Sequence, residues 1–102
     1  MSDSTYRIRL TVEAKAELDG IFRYIAEELG NPQAAAKFDD KFRDRIKRLR
    51  EWPLSCPVLI HNNIYRKLLI DKYIVFYTVD EGTKTVYIQN VIYGMSDYAK
   101  YF

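Results

Sequence analysis

Hydrophobic positions change their period twice along this chain. Residues 5–11 alternate, with Tyr6, Ile8 and Leu10 on one side and Arg7, Arg9 and Thr11 on the other. A period of two predicts a half-buried strand. From Ala14 onward the apolar residues recur at spacings of three and four, through Leu18, Ile21, Ile25 and Leu29. They form one stripe of an amphipathic helix, which Thr11 caps and Glu13 supports from the first turn. Gly30 ends it where a left-handed residue is wanted. Asn31 then caps a second helix, and Pro32 suits its first position because the missing N–H would have no intrahelical partner. The second stripe is Ala35, Phe38, Phe42, Ile46 and Leu49. So short a connection makes the two helices antiparallel. Trp52-Pro53 stops the second helix, since the residue before a proline disfavours helical geometry. Trp52 is expected to anchor that end by packing.

Residues 53–63 carry Pro53, Pro57, Asn62 and Asn63 and read as a loop. Three strands come next, over 64–70, 72–79 and 84–93, with turns at Asp71-Lys72 and Asp80-Glu-Gly-Thr83. Residues 73–79 are apolar on both faces, which places that strand inside the sheet. In the last strand, alternation puts Val86, Ile88 and Ile92 on one side and Tyr87, Gln89, Val91 and Tyr93 on the other. The tyrosine-bearing side is expected to face away from the helices. Asn90 then falls on the apolar side, where it needs a hydrogen-bond partner or a bulge that repositions it. Residues 97–102 read as a short helical turn or a tail. The expected fold is α+β in the order β-α-α-β-β-β. A helical hairpin packs on a mainly antiparallel four-stranded sheet, with the first strand beside the last, in a single domain over residues 1–102.

Composition narrows the function. At 102 residues and 48% hydrophobic the chain can build one real core. No run of 18 apolar residues is present, so no membrane span is expected. Met-Ser-Asp-Ser-Thr at the start lacks the basic and apolar segments of a signal peptide, which points to the cytoplasm. Cys56 is the single cysteine and His61 the single histidine, both in the 53–63 loop, and they read as a loop thiol and a loop imidazole. No Cys/His cluster has ligand spacing, so neither a metal nor another cofactor is expected. The net charge is only +2 but unevenly spread. Lys41, Arg43, Arg45, Lys47, Arg48 and Arg50 crowd residues 41–50 with Asp44 alone against them. Such a patch attracts RNA, DNA or an acidic partner, or it solvates a helix face and complements the macrodipole.

Three strings carry a family resemblance. They are Tyr24-Ile-Ala-Glu-Glu-Leu-Gly-Asn-Pro-Gln-Ala-Ala-Ala36 at the helix join, Tyr65-Arg-Lys-Leu with Tyr73-Ile-Val-Phe-Tyr-Thr-Val-Asp80 after it, and Val91-Ile-Tyr-Gly-Met-Ser-Asp97. In that order and spacing the chain resembles the RelE/ParE superfamily of bacterial toxins over nearly its whole length. The resemblance implies the toxin of a type II toxin–antitoxin pair, which arrests growth and is neutralised by a cognate antitoxin. In that family the antitoxin wraps its C-terminal segment over the toxin. RelE-like members cut mRNA in the ribosomal A site without a metal, as the RNA 2′-hydroxyl attacks the adjacent phosphate. ParE-like members inhibit DNA gyrase and are not nucleases.

The resemblance also implies site residues. Arg66 and Lys67 lie near the family's basic strand positions and could hold phosphate, while Tyr93 and Tyr98 could stack on a base or donate a proton. These four are the candidate catalytic set. By alternation Arg66 and Lys67 point to opposite faces, and Arg66 could instead pair with Asp71 or Glu81. Arg7 and Arg9 are candidates for RNA or partner binding along the sheet edge. Lys41, Arg45 and Arg48 are expected to rim an apolar antitoxin groove along the hairpin and sheet edge. The chain departs from the nuclease pattern. Met95 and Ser96 stand where many relatives have an arginine after the glycine, Ile70 where a strand arginine is common, and Asn90 and Tyr93 where a histidine or arginine is common. Loss of a transition-state cation costs about a hundredfold in rate or more. The hairpin string favours the ParE mechanism; Arg66 with the tyrosines keeps the RelE mechanism open. A decayed, non-toxic module that still binds its antitoxin is the third reading.

Overall fold

The structure, a computed structural model, describes residues 5–94. Met95, Ser96, Tyr98 and the turn or tail expected over 97–102 lie outside the described residues. The elements are β1 (Arg7–Leu10), α1 (Val12–Arg23), a π-helical turn (Tyr24–Glu28), α2 (Pro32–Lys47), a 3-10 turn (Arg48–Arg50), β2 (Arg66–Ile70), β3 (Tyr73–Asp80) and β4 (Thr85–Tyr93). The sheet runs β1-β4-β3-β2. β1 lies parallel to β4, and the two other pairings are antiparallel. This is the expected α+β arrangement, with the first strand beside the last. Among the described residues no helix is long and apolar enough to cross a membrane.

Local chemistry sets the ends of these elements. The Tyr6 amide donates to the Arg50 carbonyl at 2.7 Å rather than to β4, which shortens the expected first strand. Thr11 ends β1 and starts α1 together: its hydroxyl oxygen accepts from the Ala14 amide at 3.0 Å and donates to the Gln89 carbonyl at 3.0 Å. The cap is thereby also a tie between helix and sheet. Asn31 accepts from the Ala34 amide at 3.0 Å, and Gly30 takes φ +61°, as the join requires. Between α1 and the join the chain departs from a plain helix. The Leu29 amide reaches back five residues to Tyr24 at 3.0 Å, closing a π turn. One extra residue in that turn rotates the next side chains out of phase with the stripe. Leu29, expected on the buried stripe, is therefore 59% exposed.

Phe38, Phe42 and Leu49 from the second helical segment, with Ala14 from α1, pack on Ile70, Val75, Tyr77, Val86, Ile88 and Val91 of the sheet. Phe38 meets the Tyr73 ring edge-on with centroids 5.1 Å apart. At the end of α2 it is Leu49, 2% exposed, that anchors the packing. Trp52 is 62% exposed and does not serve as the expected anchor. The reason is register: the 3-10 turn carries Leu49 inward and leaves Trp52 outside the core.

β4 departs from strict alternation. Phe76 faces Asn90 while Tyr77 faces Ile88, so Gln89 is an extra residue opposite β3. A bulge reverses the facing of every residue beyond it. Val91 joins Val86 and Ile88 in the core under the helices, and Ile92 crosses to the outer face beside Ile74 and Phe76. Tyr93, opposite Tyr73, comes to the helix side. The expected grouping of Val91 and Tyr93 with Tyr87 on the open face is thus corrected. Asn90 finds its partner on α1, where Glu17 accepts its amide at 3.3 Å and the Val91 N–H at 3.0 Å.

The outer face is not bare. Leu59 and Tyr65 from the long loop pack on Ile74, Phe76 and Ile92. The loop folds back on itself, with the Leu59 amide donating to the Tyr65 carbonyl at 2.9 Å and Val58 bridged to Arg66. The pairing with β3 consequently begins at Arg66, two residues later than expected.

Phe42 is 2% exposed at the centre of the helix–sheet contact, so Phe42→Ala should lower stability by about 3–5 kcal/mol. Gly30→Ala should cost about 1–2 kcal/mol because a side chain disfavours φ +61°. Urea unfolding of both variants against the parent chain measures the two effects; a Gly30→Ala chain as stable as the parent would remove the left-handed requirement at the join.

Candidate functional site

Among the described residues, the catalytic candidates Arg66, Lys67 and Tyr93 do not converge. Arg66 opens β2 on the helix side, the side shared by Leu68 and Ile70. Its Nη1 donates to the Leu54 carbonyl at 3.2 Å and the Cys56 carbonyl at 2.6 Å. The guanidinium therefore holds the long loop against the sheet. It pairs with neither Asp71 nor Glu81: Asp71 is taken by Lys41, and Glu81 accepts from the Tyr6 hydroxyl. Lys67 faces outward beside Phe76, half-buried, and its amide donates to the Pro57 carbonyl at 3.0 Å. Tyr93 is 45% exposed and meets Tyr73 with ring centroids 5.9 Å apart. Arg66 and Tyr93 share the helix side but sit apart along β3, against Tyr77 and Tyr73. Four residues of strand separate those positions by roughly 13 Å. Tyr98 lies outside the described residues.

The three cations expected to rim a groove, Lys41, Arg45 and Arg48, are engaged. Lys41 pairs with Asp71 at 2.7 Å, and Arg45 Nη2 donates to the Leu69 carbonyl at 2.8 Å. Arg45 thereby occupies a carbonyl on the outer edge of β2, and Lys41 holds the turn that follows the strand. Arg48 pairs with Asp44 of α2 at 3.2 Å. Arg7 and Arg9 project from the opposite edge, exposed, beside Thr85 and Tyr87. With Lys15 they line a shallow cleft along β1. Among the described residues neither arginine joins an ion pair.

A larger concavity among the described residues lies elsewhere. An open groove of about 770 Å³ runs between the end of α1 with its π turn and the Tyr73–Tyr93 end of the sheet. Ile21, Tyr24, Leu29, Tyr73 and Tyr93 form its walls, and Glu17 lies along it. Lys41, Arg45 and Arg48, the expected rim of such a groove, do not line it. Gly20 helps to open it: a side chain there would meet nothing within 4 Å. An isolated glycine inside a helical stripe costs about 1 kcal/mol, and it was the one sequence signal that could have located this groove. Burial first, then the neighbouring Tyr24, Tyr93 and Asp71, push the Tyr73 hydroxyl above its ordinary value, so it stays a protonated donor at neutral pH. Apolar walls, tyrosine hydroxyls and one carboxylate suit the binding of a polypeptide segment. Among the described residues Lys72 is the one cation that lines the groove.

A family model described as the ParE toxin of the type II toxin-antitoxin system, parDE, matches residues 8–98. Among solved structures the fold is similar to the chromosomal ParDE system from P. aeruginosa, at TM-score 0.73 and 18% identity, covering 89% of this chain and 98% of that one. It is similar to the RelBE2 toxin-antitoxin complex of Mycobacterium tuberculosis at TM-score 0.61 and 20% identity, covering 87% and 98%. It is also similar to the archaeal RelE-RelB complex from Pyrococcus horikoshii OT3 at TM-score 0.55 and 17% identity, covering 89% and 97%. At such identities these likenesses speak for the fold alone. No curated protein matches the chain by sequence. The family model spans nearly the whole chain, and on that match this chain belongs to the ParE toxin family of type II toxin–antitoxin systems.

Proposed function

We propose that this chain arrests growth by inhibiting DNA gyrase and is silenced by a cognate antitoxin. The observation that carries the reading is the use of Arg66. The best-placed candidate for holding a scissile phosphate is bound to two loop carbonyls, while Lys67 and Tyr93 lie on different faces of the sheet. Cleavage by 2′-hydroxyl attack needs a base, an acid and a cation within about 3 Å of one phosphate. Arg66, Lys67 and Tyr93 do not approach one another in that way. A toxin that acts by binding gyrase needs a stable surface and no such cluster.

One observation favours the second reading, ribosome-dependent mRNA cleavage. Arg7, Arg9 and Tyr87 share the outward side of β1 and β4, where two exposed cations beside an aromatic ring could hold RNA. Met95, Ser96 and Tyr98 lie past that face in sequence, outside the described residues.

Pulse-labelling after induction of the chain alone separates the mechanisms. The gyrase reading expects DNA synthesis to stop first, and purified toxin to block supercoiling by gyrase while leaving ribosome-bound mRNA intact. Protein synthesis stopping first, with mRNA cut on ribosomes, would overturn it. If neither stops, the chain is the harmless antitoxin-binding module. Arg66→Ala should reduce stability by about 1.5–3 kcal/mol through the lost charged hydrogen bonds, without abolishing the arrest at a temperature where the variant stays folded. Arrest lost in a demonstrably folded Arg66→Ala chain would restore Arg66 to the mechanism.

A further inference from the structure

The groove between α1 and the Tyr73–Tyr93 end of the sheet has an unusual charge arrangement. Its walls are exposed and apolar: Leu29 is 59% exposed, Tyr24 50% and Tyr93 45%. Exposed apolar side chains gathered around one concavity, with a few polar groups among them, suit the docking of a partner segment. Glu17 lies half-buried along it. The Glu17 carboxylate already accepts from neutral donors, the Val91 N–H at 3.0 Å and the Asn90 side-chain amide at 3.3 and 3.4 Å. Those bonds orient it but do not neutralise it. Among the described residues it joins no ion pair, although Lys72 also lines the groove. Oε1 takes the closer bonds, so Oε2, with one contact at 3.4 Å, keeps free acceptor capacity.

We propose that this groove seats an apolar segment of the antitoxin that carries one lysine or arginine into contact with Glu17. The proposal rests on the reading of the chain as an antitoxin-neutralised toxin. A purely apolar segment covering the groove would strip water from a charged carboxylate and leave it unpaired, which is strongly unfavourable. A segment with a carboxylate at that point would add repulsion. A segment that delivers a cation gains a desolvated, charge-assisted hydrogen bond on a carboxylate already held in place. Glu17 therefore acts as a selector: the walls reward any apolar segment, and the carboxylate rejects those without a cation at the right position. A toxin can in this way discriminate its own antitoxin from related ones with equally apolar segments.

The test uses the cognate antitoxin, purified from its co-expressed complex, titrated into the intact toxin by calorimetry. Glu17→Gln keeps an acceptor oxygen for the Val91 N–H and replaces the charged Oε2 by a neutral amide donor. It should weaken binding about ten- to hundredfold and flatten the salt dependence. Leu29→Asp should weaken it at least as much through the groove wall. On the antitoxin side, lysines and arginines are replaced by glutamine one at a time. One replacement should weaken binding to the parent toxin by the same factor and cause no further loss against Glu17→Gln. This last measurement stands even if Glu17→Gln proves unstable, because the parent toxin is used. If no antitoxin cation matters to the parent toxin, the selector role is overturned. If Leu29→Asp binds like the parent toxin, the groove is not the seat, and the antitoxin reading survives. A parent toxin that binds no antitoxin at all would overturn that reading and the proposal with it.

Discussion

Glu17 on α1 accepts the Val91 N–H across the β4 bulge at 3.0 Å, and most of the molecule depends on that contact. The bulge leaves a backbone amide without its ladder partner, and a buried unpaired amide is costly. The helix supplies the missing acceptor, so the extra residue Gln89 is tolerated in an interior strand. From that point the two faces of β4 exchange. Val91 completes the main core, Ile92 completes the smaller outer cluster, and Tyr93 turns toward the helices to face Tyr73. The groove exists because the bulge sends Tyr93 to that side and the π turn sends Leu29 outward.

The long loop is the second device. Its backbone is held by side chains from the sheet: Arg66 on the Leu54 and Cys56 carbonyls, and the Tyr77 hydroxyl on the Pro53 carbonyl at 2.8 Å. Burial raises the Tyr77 hydroxyl far above its ordinary value, so it remains a donor throughout the physiological range. A loop of this length would otherwise carry unpaired carbonyls against the sheet. Its docking also lets Leu59 and Tyr65 cover the outer cluster. The loop thus engages Arg66, so its guanidinium is committed within the molecule.

Electrostatics divides the molecule in a similar way. On α2, Lys41 and Arg45 secure β2, and Arg48 just beyond it pairs back with Asp44. Exposed pairs of this sort contribute little, about 0–1 kcal/mol each, but they shield an edge strand. Arg7 and Arg9 on β1 keep their charge free for solvent or a partner. The basic run that dominates the sequence is therefore largely occupied within the molecule, while Arg7 and Arg9 on the opposite edge join no ion pair among the described residues.

Much of this was legible in the chain because its causes are local. Thr11, Gly30, Asn31 and Pro32 act on backbone groups within a few residues, so the helical hairpin and its join could be read directly. The alternation of residues 7–10 and the apolar run of residues 73–79 likewise set strand type and the interior place of β3. The features that stayed hidden were those whose partners lie far along the chain. The β4 bulge needs a carboxylate 74 residues away, and Arg66 chooses carbonyls in a loop over the acids that look equally available. Trp52 reads as an anchor because its size suggests burial, yet the 3-10 turn gives that place to Leu49. Local sequence thus determined the elements and their order. Tertiary structure alone decided which face each residue beyond a bulge or a π turn would take, because one inserted residue is invisible to periodicity until a distant group satisfies it.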